Sequence, residues 1–254
     1  MKSIFKQAKS LYQGSFGKPY EALLNIDEDA AFNCLYVDSL KETDTEHRPA
    51  RKARMFHLHS LMDTIASIEG DIVECGCWKG ASAHLMMSTM QNSGRFTEPK
   101  KLWLFDSFQG LSQPNEVDSL MSGRVAKLFN KEIGKPFKSM HSYSCGKARV
   151  DSNLKKFKKY FSSTSTWIDA SFPELFGDLF PGSISFANID LDLYEPTYWA
   201  FVACLGKLAP GGILCCDDYG SLSWPGARKA VDKVISEYSM KKVELSSGQA
   251  LLFF

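Results

Sequence analysis

Short apolar runs alternate with amphipathic stretches along most of this chain. Arg51 to Ile68 carries Met55, Leu58, Leu61, Met62 and Ile65 at helical spacing, and Glu69-Gly70 ends it. Asp71-Ile-Val-Glu-Cys75 reads as a short buried strand, Gly76 to Gly80 as a turn, and Ala81 to Met90 as a helix. Leu102-Trp-Leu-Phe105 predicts a second strand ending at Asp106, and Thr164 to Ile168 a weaker third. Ile184 to Asp190 is the fourth and Gly212 to Cys216 the fifth. Helical stretches fall between them at Lys147 to Tyr160, Thr197 to Leu208 and Gly226 to Tyr238, with Pro210-Gly-Gly212 as the turn into the fifth strand. This alternation predicts an α/β fold: a mostly parallel sheet covered by helices on both faces, with right-handed crossovers. Lys242 to Leu245 and Ala250 to Phe254, with Ser246-Ser-Gly248 between them, predict a hairpin at the sheet's end.

Two regions stand outside the alternation. Residues 1–50 suit an N-terminal helical cap in front of a domain over 51–254. The stretch at about 112–146, broken by Pro114, Gly123, Gly134 and Pro136, reads as an insertion or lid. No internal repeat or low-complexity segment suggests a solenoid.

At 254 residues and 44% hydrophobic content, the chain can bury one large core. Lys plus Arg is 30 against Asp plus Glu at 29, so no net field draws the protein to nucleic acid or an anionic membrane. Small-molecule chemistry is favoured. No apolar run approaches the roughly 20 residues of a membrane span, and Met1-Lys-Ser-Ile-Phe-Lys-Gln lacks a signal peptide's apolar centre, so a cytoplasmic protein is expected. Most of the seven cysteines lie in apolar segments and read as reduced, buried small hydrophobes. Neither Cys75-Gly-Cys77 nor the adjacent Cys215 and Cys216 has the spacing of a zinc knuckle.

The polar residues that break the pattern are acidic. Asp190 and Asp192 follow the fourth strand, and Asp217 and Asp218 follow the fifth. Each pair alone could merely cap a helix. Two pairs at the ends of successive strands would converge, because adjacent strands lie about 4.8 Å apart, and carboxylates at that spacing repel unless one is protonated or a cation sits among them. Ligands of open α/β sheets bind outside the strands' carboxyl ends. That directs attention to Glu74, Gly76 and Gly80 in the first turn, and to Asp106 and Ser107 after the second strand, where a ribose diol is commonly held. The five tryptophans are mainly core candidates, with Trp167 also suited to stack on an adenine ring. His57, His59 and His84 read as packing or surface residues, His141 as a possible substrate contact, and Lys155-Lys-Phe-Lys-Lys159 as a solvated face.

Four segments taken together resemble the macrocin O-methyltransferase (TylF-like) family: Gly70-Asp-Ile-Val-Glu-Cys-Gly-Cys-Trp-Lys-Gly80, Leu104-Phe-Asp-Ser-Phe-Gln-Gly-Leu111, Ile189-Asp-Leu-Asp-Leu-Tyr-Glu-Pro-Thr197, and Pro210-Gly-Gly-Ile-Leu-Cys-Cys-Asp-Asp-Tyr219. Ala227-Arg-Lys-Ala-Val-Asp232 fits the following helix, and the resemblance spans roughly residues 45 to 240. It implies a Rossmann-like class I methyltransferase fold with an antiparallel C-terminal strand. It further implies Mg²⁺-dependent methyl transfer from S-adenosyl-L-methionine to a sugar hydroxyl of a glycosylated natural product or saccharide.

By position, the resemblance makes Asp190, Asp217 and Asp218 the metal ligands and Asp192 the general base. Glu74, Gly76, Gly80, Asp106 and Ser107 would serve the cofactor, with Trp167 and Asp169 near its adenine. Where the family usually reads Gly-Trp-Phe-x-Asp-Thr-Leu-Pro, this chain has Thr166-Trp-Ile-Asp-Ala-Ser-Phe-Pro173, with the acid displaced by one residue. The expected partner is a small hydroxylated acceptor; a homodimer, if the chain forms one, is expected through the N-terminal helices. Acidic pairs at strand ends also serve metal-dependent phosphoesterases and glycosyltransferases. A non-catalytic binding module on the same fold is the third reading.

Overall fold

A computed structural model describes residues 26–96, 100–112, 114–119, 143–175 and 179–254. The first half of the expected cap, most of the expected lid and His141 therefore lie outside the described residues.

Seven strands form one sheet in the order β3-β2-β1-β4-β5-β7-β6. They are β1 (Asp71–Cys75), β2 (Leu102–Asp106), β3 (Phe161–Ser165), β4 (Ile184–Ile189), β5 (Leu208–Cys216), β6 (Lys241–Glu244) and β7 (Ala250–Phe253). The first five run parallel, and β7 is antiparallel to both β5 and β6. The central strand β4 is buried at every position, as expected of a parallel strand covered on both faces.

Among the described residues, the helices of seven residues or more are α1 (Ala30–Glu42), α2 (Pro49–Ile65), α3 (Ala81–Ser93), α4 (Lys147–Asn153), α5 (Tyr194–Leu205) and α6 (Pro225–Tyr238). One core face of the sheet meets α5 and α6 through residues such as Phe201, Ala203, Val231 and Val234. The other meets α2 and α3 through Leu58, Met62, Met86 and Met87. Helix α1 is stapled outside these by Phe32 and Tyr36, which pack with Met55, Ala81 and Leu85. Apolar residues three to four apart on α2 thus bury one stripe against the sheet, as the sequence spacing predicts. The first turns of the same helix, with Arg51, Arg54, Met55 and Leu58, reach the site described below.

Several expectations need correcting. The third strand begins at Phe161, three residues earlier than expected, because Leu102 to Asp106 of β2 pairs with Phe161 to Ser165. Trp167 and Ile168 are left in the loop that follows. The stretch from Lys147 to Tyr160 is not one helix: α4 ends at Asn153, and Lys155–Phe157 forms a separate 3₁₀ turn. Pro210 to Gly212 does not precede β5 but lies inside it, where the pairing with β4 skips from Ile184–Leu208 to Phe186–Ile213 as a bulge. Trp78, Trp103 and Trp199 are half-buried and pack against the core, as expected, whereas Trp167 is exposed. The cysteines agree with expectation: all seven are free thiols and only Cys34 is exposed. Among the described residues no helix is long and apolar enough to cross a membrane.

Candidate active site

Strand register builds the site. Cys75 of β1 pairs with Ile189 of β4, and Ile189 pairs with Cys216 of β5. The next residue of each strand, Gly76, Asp190 and Asp217, therefore emerges side by side. The ladder carries on one step, with the Asp190 amide donating to the Cys75 carbonyl and the Asp217 amide to the Ile189 carbonyl, each at 2.9 Å. Strand order reverses between β1 and β4, the place where α/β sheets open a ligand crevice. Gly76 is required there: it has φ +83°, and a Cβ would stand 1.9 Å from the Asp190 carbonyl oxygen. A cavity of about 390 Å³ opens over these strand ends.

One end of the cavity is organised by Asp106. Its Oδ2 accepts the amides of Cys77 at 2.8 Å and Trp78 at 3.1 Å, and its Oδ1 accepts the Phe108 amide at 2.7 Å. The carboxylate thus holds the first turn against the second. Ser107 donates to the Gly110 carbonyl at 2.8 Å and accepts the Gln109 amide at 3.0 Å. Asp106, Ser107 and Trp167 all line the cavity, with Trp167 43% exposed. Three expected cofactor residues do not line it: Glu74, which is fully buried, Gly80 and Asp169. Gly80 is the left-handed residue that starts α3, and Asp169 is exposed and accepts both the amide and the hydroxyl of Ser171, at 2.8 and 2.7 Å.

Glu74 lies buried beneath the cavity floor. Its Oε1 accepts from Asn188 Nδ2 at 3.0 Å, while its Oε2 and Asn188 Oδ1 have no partner. Burial pushes its carboxyl up to about 7, against the opposing hydrogen bonds of Ser82 and Asn188. Asn188 and Ser82 line the cavity directly above it.

At the other end, Asp190, Asp192 and Asp218 each place a carboxylate oxygen within 4.8 Å of the other two. Two carboxylates two residues apart on an extended strand would share a face, but β4 has already ended here. Asp192 has φ +62°, a left-handed conformation uncommon for Asp, and the loop itself turns the side chain inward. Burial, then the neighbouring Asp217 and Asp218, raises Asp190 well above the usual carboxylate range; burial, then Asp192 and Asp217, does the same to Asp218. Asp192 is pushed up to about 8 by burial and by Asp190. Such a cluster is short of positive charge, and Asp218 Oδ2 has no hydrogen-bond partner.

Asp217 is engaged differently. Its Oδ2 accepts from Arg54 Nη1 at 2.5 Å and its Oδ1 from Gln249 Nε2 at 2.9 Å. Arg54 also stands 3.7 Å from Asp218. Burial alone would lower the guanidinium's pKa, but Asp217, Asp218 and Asp190 together hold it above its ordinary value. His57 extends the network from α2 to Ser247 and Gln249 in the β6–β7 hairpin.

Sequence reasoning passed over Arg54, Arg51, Arg48, Asn188 and Gln249. Asn188, with Ser185 one of two polar residues in a mostly apolar strand, was an available signal. Trp78, Tyr143 and Trp224 form an aromatic rim beside the carboxylates, with ring centroids 6.0 and 6.4 Å apart in succession. His84 is buried against Phe157 and contacts Ser39, and His59 contacts Thr89, consistent with packing roles.

Residues 45–243 match the family model described as Macrocin-O-methyltransferase (TylF). The chain belongs to the TylF family. It is 25% identical over 170 residues to the 8-demethyl-8-(2,3-dimethoxy-alpha-L-rhamnosyl)-tetracenomycin-C 4'-O-methyltransferase of Streptomyces olivaceus, covering 65% of this chain and 60% of that protein. It is also 25% identical over 178 residues to the demethyldecarbamoylnovobiocin O-methyltransferase of Streptomyces niveus, covering 68% of this chain and 61% of that protein. The matches thus span about three fifths of those relatives' own length. Among solved structures, the O-methyltransferase NovP aligns with a TM-score of 0.61 at 19% identity, covering 79% of each chain. The calicheamicin methyltransferase CalS11 aligns with a TM-score of 0.63 at 20% identity, covering 98% of this chain and 90% of that one. The TylF-family chain therefore has the methyltransferase fold, with its N-terminal helices included in the likeness.

Proposed function

We propose that this TylF-family chain transfers a methyl group from S-adenosyl-L-methionine to a hydroxyl of a sugar-bearing small molecule, assisted by Mg²⁺. The observation that carries the reading is the meeting of Asp190, Asp192 and Asp218 in one cavity with Asp106, inside a chain that belongs to a family of O-methyltransferases. The two relatives named for rhamnosyl and novobiocin O-methylation support a glycosylated acceptor.

The residues present fit both groups. Glu74 Oε2 and Asn188 Oδ1 are buried acceptors without donors, a pairing that the ammonium of a methionine moiety would satisfy. Asp106 and Ser107 offer the polar edge suited to a ribose diol, and Trp167 an exposed ring for the adenine. For the divalent ion, carboxylate oxygens are the donors that Mg²⁺ prefers. Asp190 and Asp218 would hold it, and Asp217 would join them only by giving up Arg54. When bound, the ion would supply Lewis-acid polarisation of the acceptor oxygen and the cofactor an activated methyl group.

The chain's own part is positioning and proton transfer. Asp192, with a carboxylate oxygen within 4.8 Å of those of Asp190 and Asp218, would accept the proton of the reacting hydroxyl. The aromatic rim of Trp78, Tyr143 and Trp224 offers apolar faces for a sugar ring and shields the reacting oxygen from water. Alignment of oxygen and methyl accounts for much of the rate in this kind of displacement. The test is transfer of labelled methyl from S-adenosyl-L-methionine to rhamnosylated and noviosylated aglycones, in Mg²⁺ and in EDTA. Metal-dependent product supports the reading. Hydrolysis of sugar phosphates with no methyl transfer to any acceptor would replace it with the phosphoesterase alternative.

A further inference from the structure

Three arginines line the cavity at the start of α2: Arg48, the extended residue that precedes the helix, and Arg51 and Arg54 within its first two turns. Two of them are paired. Arg54 meets Asp217 and Asp218, and Arg48 stands 3.5 Å from Glu46 at the exposed end. Arg51 lies between them, half-buried, with no described carboxylate within the 4.0 Å of an ion pair. It donates a hydrogen bond to the Glu46 carbonyl, which offers no charge, and its guanidinium lies 5.7 Å from the centre of the Trp78 ring.

We propose that Arg51 is the seat for an anionic group, a carboxylate or phosphate, on a small molecule bound in this cavity. The proposal rests on the methyl-transfer reading for the identity of one such molecule, but the site itself does not depend on it. A partly desolvated guanidinium without a counter-ion is costly, and its planar fork matches a carboxylate or phosphate in bidentate fashion. The nearby acids do not settle the charge. Burial and then Arg48 lower Arg51's pKa, outweighing the opposing Tyr36 and Asp190. An anion entering the cavity would reverse that balance. Two sources carry the required chemistry: the α-carboxylate of the cofactor's methionine moiety, or an acceptor that is a sugar phosphate or a uronic acid.

Calorimetric titration of the full chain, wild type, Arg51→Gln and Arg51→Lys, separates them. The probes are S-adenosylhomocysteine, then 5'-methylthioadenosine, which keeps the nucleoside and thioether but lacks the amino acid, and then glucose 1-phosphate. In Arg51→Gln, affinity for the anion-bearing probe should fall about tenfold or more, as for loss of a charge-assisted bidentate contact, with Arg51→Lys restoring only part. A loss for S-adenosylhomocysteine but not for methylthioadenosine assigns the seat to the cofactor's carboxylate. Unchanged S-adenosylhomocysteine with lost glucose 1-phosphate binding assigns it to the acceptor. The proposal is overturned if Arg51→Gln binds all three probes as the wild type does, or if it weakens both thioethers equally. A wild type that binds neither thioether would sink the methyl-transfer reading instead, and the sugar phosphate would then decide Arg51 alone.

Discussion

Arg54 donates to Asp217 across 2.5 Å, joining the first turns of α2 to the end of β5. The pair supplies a resident positive charge at the edge of an acidic cluster, and it fastens the N-terminal helices to the sheet. Arg54→Met should leave a buried carboxylate without its cation and destabilise the fold by about 3 kcal/mol. Arg54→Met combined with Asp217→Leu should recover most of that loss, because the uncompensated charge is gone. Urea denaturation of both variants in EDTA measures the two steps. Equal losses in the single and the double variant would show that the helix is held by something other than this pair.

The same pair bears on which carboxylates hold a divalent ion. Mn²⁺ titration followed by electron paramagnetic resonance should show binding abolished by Asp190→Asn and by Asp218→Asn. Asp217→Asn should weaken it by no more than the roughly 10- to 100-fold typical of a supporting residue, since both Asp217 oxygens already have partners. Abolition by Asp217→Asn would mean that Arg54 yields this carboxylate to the metal.

Glu74 gives a pH signature in stability. Its folded carboxyl is pushed up to about 7 from an ordinary value of 4.5, so the folded state holds more protons than the unfolded chain between those pH values. Stability from this group is therefore lost as pH rises from about 4.5 to about 7, on the order of 3 kcal/mol in total. Glu74→Gln removes the titration while keeping the shape. Its Tm advantage over wild type should grow between pH 5 and pH 8 and level off above. Thermal melts across that range test this, and a constant difference would contradict it.

Gly76 and Gly94 separate steric clash from backbone preference. Both have positive φ, but a Cβ on Gly94 would meet nothing within 4 Å, while one on Gly76 would meet the Asp190 carbonyl. Gly94→Ala should cost only the left-handed penalty of about 1–2 kcal/mol. Gly76→Ala should cost clearly more and should also weaken binding of S-adenosylhomocysteine. Equal denaturation midpoints for the two variants would contradict the close approach of β1 and β4.

Much of the fold was legible because buried parallel strands and amphipathic helices leave different periods in the sequence. Asp71 to Cys75 and Ile184 to Ile189 were found nearly to the residue, since each is a compact apolar run closed by polar residues. The third strand was misplaced because Phe161 to Ser165 is mostly polar and half-buried, with burial supplied by one neighbour, β2. The acidic and first-turn residues of the site were legible as departures from the apolar pattern at strand ends. The arginines of α2 were not, since a polar position on an amphipathic helix looks solvated whether it faces water or an acidic cavity. The pairing of Arg54 with Asp217 joins residues 163 positions apart, so no local pattern could show it. Trp224 was read as core because tryptophan is usually packed, whereas here it borders the cavity, and Trp78, which does pack against the core, borders the cavity as well.

The central claim is that the cavity over Gly76, Asp106 and the aspartates binds S-adenosyl-L-methionine for metal-assisted methyl transfer. Calorimetric titration with S-adenosylhomocysteine, in Mg²⁺ and in EDTA, with NADH and a nucleotide sugar as controls, tests it most directly. Saturable binding of S-adenosylhomocysteine but not NADH, lost in Asp106→Ala, is the expected result. No binding of S-adenosylhomocysteine in either buffer, from a folded chain, would contradict it.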